Sequence, residues 1–187
     1  MRDKPKCHRR SVVAKSRLFT VEEMELQFSN GAHRVYERIR SHGHGAVMIV
    51  PLTMGQSLLL VREYAAGTDR YELAFPKGLI DAGESALAAA NRELREEVGM
   101  QAGQLTSLRI MTLAPGYFGS QLELVLAEQL SPAPLPGDEP EPLEVIEWPL
   151  DARDELLARP DFTEARSIAA LFLVENWLKK RINKNEQ

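Results

Sequence analysis

The sequence predicts a mixed α/β fold, an antiparallel β hairpin followed by one larger domain of strands and helices. Three observations predict it. Residues 17–40 alternate apolar and polar side chains on either side of Asn30-Gly31, the strongest short hairpin signal. Ala46–Leu52 (AVMIVPL) is almost wholly apolar, as a central strand buried on both faces must be. Ser85–Gly99 reads as one amphipathic helix with its own start and stop signals. A length of 187 residues suits one main domain with a small appendage.

The elements follow in order. Residues 1–15 are expected to be a weakly ordered terminus, basic but without the apolar stretch of a secretory signal, and a frayed end rather than a nucleic-acid arm. Residues 16–42 form a small β module. In it Leu18, Thr20, Met24, Leu26 and Phe28 alternate with Glu23, Glu25 and Gln27, and the returning strand holds Val35, Glu37 and Ile39. The main domain runs over 43–187. His42 and His44 sit in a Gly-rich break with no third ligand and read as polar loop residues rather than a metal pair. Strands are expected over Ser57–Glu63, Tyr71–Phe75, Leu105–Ala114, Leu122–Glu128 and Val145–Trp148. Residues 131–142 (SPAPLPGDEPEP) hold five prolines and three acids and read as a mobile loop. Asp151–Ala158 is a short helix. A last helix, capped by Asp161 or Thr163, runs to about Arg181 and buries Ile168, Leu171, Phe172, Val174, Trp177 and Leu178. Lys179, Lys180 and Arg181 are expected to be solvated at its C-terminal end.

Composition narrows the function classes. The net charge of −4 gives no global basic field for nucleic acid. The single cysteine, Cys7, excludes an internal disulfide and a cysteine-based zinc cluster, and fits a reducing compartment. No apolar run reaches the ~20 residues of a membrane span. A cytoplasmic protein with no membrane or nucleic-acid partner is expected.

The chemistry concentrates in Gly78–Met100, GLIDAGESALAAANRELREEVGM. Ser85 is the expected N-cap and Gly99 the stop, and Glu84 lies where the positive end of the helix favours an anion. Leu87, Ala90, Leu94 and Val98 make an apolar stripe for docking. Glu93, Glu96 and Glu97, spaced i, i+3, i+4, share an adjacent face spread over roughly 100°. Carboxylates this close repel one another, which suits a face that holds hard divalent cations for phosphate chemistry.

At every fixed position this stretch resembles the Nudix box, G-x5-E-x7-R-E-U-x-E-E-x-G-U with U aliphatic. The matching residues are Gly78, Glu84, Arg92, Glu93, Leu94, Glu96, Glu97, Gly99 and Met100. The resemblance implies an α/β/α sandwich with a mixed sheet, whose loop–helix–loop box carries the metal ligands. The implied activity is hydrolysis of a nucleoside diphosphate linked to another group. It further implies Mg²⁺, with Mn²⁺ as a substitute, held mainly by Glu93 and Glu97 with Glu96 as an additional ligand. Arg92 would orient the glutamates, and Glu84 would stabilise the box. The general base in this family is either a box glutamate or a carboxylate on a mobile loop. The loop Asp138-Glu139-Pro140-Glu141 resembles the second case, with Glu141 the first choice and Glu139 the next.

Substrate markers lie outside the box. Pro115, 16 positions past Gly99, resembles the ADP-ribose-hydrolysing subfamily, and Tyr117, 18 positions past it, resembles the dinucleoside polyphosphate hydrolases. Arg62 and Tyr64 resemble a cluster near the terminal ribose and adenine. From about Ala14 to Lys179 the chain resembles the bacterial ADP-compound hydrolases of the family. The stretches that carry this are KSRLFTVEEMELQFSNG, HRVYERIR, VREYAAGT, YELAFPKGLIDAGES, GDEPEPL and EARSIAALFLVENWL. This implies a homodimer that exchanges its N-terminal β module and releases AMP from ADP-ribose, diadenosine di- and triphosphates and NADH. The alternatives are RNA 5′-end pyrophosphohydrolysis, which would want a basic groove, and a non-catalytic nucleotide sensor, which has no need of an intact carboxylate set.

Overall fold

A computed structural model describes residues 3–41 and 43–185. The chain divides into two compact units, residues 1–42 with 112–121, and residues 43–111 with 122–187.

The first unit is a three-stranded antiparallel sheet in the order β1 (Lys6–Lys15), β2 (Thr20–Gln27), β3 (His33–Ile39). The β2–β3 hairpin is the expected one, but its turn uses three residues rather than two. The Gly31 amide donates to the Phe28 carbonyl and the Phe28 amide to the Ala32 carbonyl, both at 2.9 Å. Gly31 closes the turn at φ 82°, a left-handed position that glycine takes without strain.

Strand β1 corrects the expectation of a frayed terminus. All its residues except Ser11 are exposed, so neither face imposes an apolar alternation. Its register with β2 also shifts twice, between Cys7 and Arg9 and between Val12 and Ala14, which breaks any period of two. The strand is held by its ladder and by Arg9, which pairs with Glu23 at 2.9 Å and Glu25 at 2.8 Å. Residues 112–121 join this unit through the Ile39 amide, which donates to the Tyr117 carbonyl at 2.7 Å.

The second unit holds β4 (Ala46–Pro51), β5 (Ser57–Ala65), β6 (Arg70–Ala74), β7 (Lys77–Leu79), α1 (Ala86–Glu97), β8 (Met100–Thr112), β9 (Gln121–Pro132), β10 (Glu144–Pro149), α2 (Arg153–Leu157) and α3 (Ala165–Asn185). Its main sheet has the order β7-β4-β9-β8 and is mixed, since β4 runs parallel to β9 and antiparallel to β7. A second, antiparallel sheet has the order β10-β5-β6. Val47 and Ile49 of β4 pack with Val125 of β9 against Ala89, Ala90 and Leu94 of α1. Met48 and Val50 turn the other way, into a cluster with Leu58, Leu60, Leu73, Phe75, Leu171 and Val174. With both faces covered, β4 has no need of alternation, and the α/β/α sandwich with a mixed sheet is as expected.

Three side-chain expectations change. Leu87 is exposed, and Ala89 takes its place in the buried stripe of α1, where a small side chain lets the helix lie close to the sheet. Phe172 is exposed on α3. The carboxylate of Glu164 caps that helix, accepting the Ser167 amide at 2.8 Å. Asp161 and Thr163 do not cap it, because Asp161 pairs with Arg159 and Thr163 donates to Glu72. Of the charged C-terminal group, Arg181 bonds Glu128 at 2.8 Å and lies over Trp177. His44 is exposed, and His42 falls outside the described residues. Among the described residues no helix is long and apolar enough to cross a membrane.

Candidate active site

The site is built where β6 runs through Pro76 into β7, and β7 into α1. Strand β7 pairs with β4 through Val47 and Gly78, which fixes the backbone before the helix. Gly83 turns the connection at φ 84°, and the Glu84 amide donates to the Asp81 carbonyl. The Ser85 hydroxyl accepts the Ala88 amide at 3.2 Å, as an N-cap does. At the far end the Val98 amide bonds the Leu94 carbonyl, and Gly99 at φ 75° stops the helix. Gly78 is needed for space. A Cβ there would stand 1.9 Å from the Glu93 carboxyl carbon, so the Glu93 carboxylate lies directly on the β7 backbone.

Arg92 organises the carboxylates. Its Nη1 donates to Glu93 at 2.7 Å and to Glu96 at 3.0 Å. Its Nε and Nη2 donate to the two oxygens of Glu84 at 3.2 and 3.1 Å, and Nη2 also reaches the Leu79 carbonyl at 2.9 Å. These bonds, Glu84 foremost, push the guanidinium further up and hold Glu84 below the usual carboxylate range. Glu93 is pushed up, mainly by burial, against the pull of Arg92. Glu97 is 8% exposed. Burial raises it to about 8, opposed chiefly by the charge of Lys77, whose amide also donates to it at 3.3 Å.

These groups face a cavity of about 650 Å³. Seven carboxylates line it (Glu63, Asp81, Glu93, Glu96, Glu97, Asp138 and Glu139), with Lys77 and Arg92 as the cations. Lys77 pairs with Glu63 at 2.9 Å. A surplus of hard oxygen donors, two of them buried carboxylates raised by desolvation, fits a divalent cation of the Mg²⁺ class. Among the described residues no three such side chains stand together as a finished metal cage. Glu93 and Glu96 each give one oxygen to Arg92, through Oε1 and Oε2 respectively.

The structure therefore brings together Arg92, Glu93, Glu96, Glu97 and Glu139 of the expected residues. Glu141 is not among them, since its carboxylate accepts the Tyr71 hydroxyl at 2.6 Å. Tyr64 lines a neighbouring cavity of about 420 Å³ that shares Glu63 and Lys77 with the first. Arg62 lines neither cavity and pairs with Glu144 and Asp161, each at 3.3 Å. Pro115 and Tyr117 line a cavity of about 350 Å³ within the N-terminal unit, with Met24, Tyr36 and Arg38. Sequence reasoning missed Glu63 and Lys77. Lys77 carried one usable signal, its place immediately before the first box glycine.

Comparison with known proteins gives a concordant result. Residues 5–38 match the family model of the NudE-type Nudix hydrolase N-terminal domain, and residues 42–172 match that of the NUDIX domain. The chain is 58% identical over 167 residues to the ADP compounds hydrolase NudE of Escherichia coli (strain K12), covering 89% of each chain. It is 28% identical over 168 residues to the ADP-ribose pyrophosphatase of Bacillus subtilis (strain 168), covering 85% of this chain and 89% of that one. A crystal structure of an ADP compounds hydrolase superposes with a TM-score of 0.91 at 54% identity, covering 97% of both chains.

Proposed function

This chain belongs to the Nudix hydrolase family, and on that premise we propose that it hydrolyses the pyrophosphate bond of ADP-containing compounds and releases AMP. ADP-ribose, diadenosine di- and triphosphates and NADH are its proposed substrates, by its likeness over 89% of its length to the E. coli ADP compounds hydrolase. The observation that carries the reading is the intact box, with Glu93, Glu96 and Glu97 turned into one acidic cavity under Arg92.

As in Nudix hydrolases generally, activity needs a divalent metal, here proposed as Mg²⁺ with Mn²⁺ as a substitute, held by Glu93, Glu96 and Glu97. When bound, such an ion neutralises the diphosphate oxygens and acidifies a bound water. The chain's own residues do the rest. Arg92 holds Glu84 and one oxygen of each of Glu93 and Glu96, which orients these carboxylates and leaves their second oxygens to hold an ion. The Lys77 amide keeps Glu97 oriented, and its ammonium, paired with Glu63, stands at the wall to meet phosphate oxygens. Glu139 accepts the proton of the attacking water. It is preferred to Glu141 because its carboxylate lines the cavity, whereas that of Glu141 is taken by Tyr71.

Tyr64 is proposed to border the nucleotide through the adjoining cavity, with Arg62 bracing the strand beneath it. Pro115 and Tyr117 are proposed to contact substrate from the cavity of the N-terminal unit, where Tyr36 offers a ring for stacking and Arg38 is held by Glu22. The N-terminal β module is proposed as the dimerisation element of a cytoplasmic homodimer.

The test is AMP release from ADP-ribose, NADH and diadenosine triphosphate with Mg²⁺. Wild-type protein is expected to form AMP, and Glu97→Gln to lose on the order of 10²-fold or more in kcat. Absence of AMP from the wild type across the whole panel would favour a binding module instead.

A further inference from the structure

The segment between β9 and β10 is held at both ends. Near its start the Ala133 and Leu135 amides donate to the carbonyls of Gly99 and Arg95 at 2.9 and 3.1 Å, and Arg95 Nε donates to the Ala133 carbonyl at 3.0 Å. All three bonds fall at the end of α1, the helix that carries the box glutamates. Near its other end the Tyr71 hydroxyl of β6 donates to Glu141 at 2.6 Å. Between these anchors Gly137, Asp138 and Glu139 line the acidic cavity. The Glu139 carboxylate rests on Gly137, where a Cβ would stand 2.1 Å from one of its oxygens.

Tyr71 is itself braced. It faces Tyr64 across the β5–β6 ladder with ring centres 5.7 Å apart, edge to face, and the Tyr64 hydroxyl donates to Asp69 at 2.6 Å. Only Pro140 separates Glu139 from Glu141. Its fixed φ makes the link between them stiff, so the position of one constrains the other.

We propose that Tyr71 is a positioning residue for hydrolysis: by bonding Glu141 it fixes the far end of this strap and sets where Glu139 stands over the box carboxylates. The proposal rests on the reading of Glu139 as proton acceptor given above. In this role Glu141 contributes a hydrogen-bonding oxygen and not a charge. Glutamine supplies the same oxygen and alanine does not, and that difference separates a latch from a base.

The test uses the full chain with Mg²⁺ and ADP-ribose. Tyr71→Phe and Glu141→Ala are each expected to lose about three- to tenfold in kcat, the range one hydrogen bond supports. KM and the Mg²⁺ concentration for half activation should stay within about twofold of wild type. The double variant should be no worse than either single one, because both remove the same bond. Glu141→Gln should keep wild-type kcat. Backbone ¹⁵N relaxation at Asp138, Glu139 and Glu141 should show greater mobility in Tyr71→Phe and Glu141→Ala and no change in Glu141→Gln. If Glu141→Gln falls as far as Glu141→Ala, Glu141 is acting through its carboxylate and the latch is wrong. Losses that multiply in the double variant, or a Tyr71→Phe enzyme with wild-type kcat, also overturn it. A Glu139→Gln enzyme with full kcat overturns it too, since Tyr71 would then have no base to position, whereas a loss of all AMP formation in the wild type would overturn the proposed function itself.

Discussion

Glu97 is a carboxylate with one hydrogen bond and little water, and its titration has a consequence for stability. Burial raises it from 4.5 to about 8 in the folded chain. The folded state thus keeps a proton that the unfolded state gives up near pH 4.5. This favours folding below that pH and is lost as pH rises towards 8, where a buried charge remains. The full loss is on the order of a few kcal/mol, at about 1.4 kcal/mol per pKa unit. In EDTA, Glu97→Gln should therefore melt above wild type at pH 8 and close to it at pH 5. Mg²⁺ should raise the melting temperature of wild type at pH 8 and leave that of the variant almost unmoved. A difference in Tm that does not change with pH in calorimetry would refute the argument. At this scale the box glutamates were legible in the sequence because helical spacing alone puts i, i+3 and i+4 on one side. Glu63 and Lys77 were not, since their pairing joins β5 to β7 with no periodic relation between them. That Glu139 lines the cavity while Glu141 bonds Tyr71 is not legible either, because no spacing rule says which of two carboxylates in an irregular, proline-rich loop turns inward.

The limits of helix α1 are legible in the sequence to within a residue or two, because Ser85 and Gly99 mark its ends chemically. Replacing Ser85 by Ala frees the Ala88 amide and should cost about 1 kcal/mol, a fall in Tm of roughly 2–4 °C for a chain of this size. At saturating Mg²⁺ the kcat should be unchanged, since the cap touches no carboxylate of the cavity. A stability equal to wild type in thermal melts would show the cap to be redundant with the tertiary packing of α1. The start of α3 is not legible in the sequence, because Asp161, Thr163 and Glu164 are all polar residues able to accept a backbone amide. The choice was made by competing bonds, Asp161 to Arg159 and Thr163 to Glu72. Strand β4 was legible because burial on both faces leaves an unbroken apolar run. Strand β1 was not, since it is wet on both faces and interrupted twice in register.

For the molecule as a whole, the N-terminal unit leaves Val12, Val13, Leu18, Phe19, Val35 and Tyr36 exposed in the single chain. Such a surface is expected to be covered in the proposed homodimer. Removing residues 1–40 should give a monomer by analytical ultracentrifugation and raise the KM for ADP-ribose. A truncated protein that remains a fully active dimer would count against that arrangement. The order β1-β2-β3 has one more consequence. Strand β1 lies at the margin of its sheet, with backbone donors and acceptors along its outer side. A margin of this kind invites further strands to add on without limit, the route to insoluble fibres. Lys6, Arg10 and Lys15 place like charges along its length, and its pairing with β2 shifts register twice. The features that hide this strand from pattern reading are the ones expected to keep a concentrated solution of the protein from aggregating.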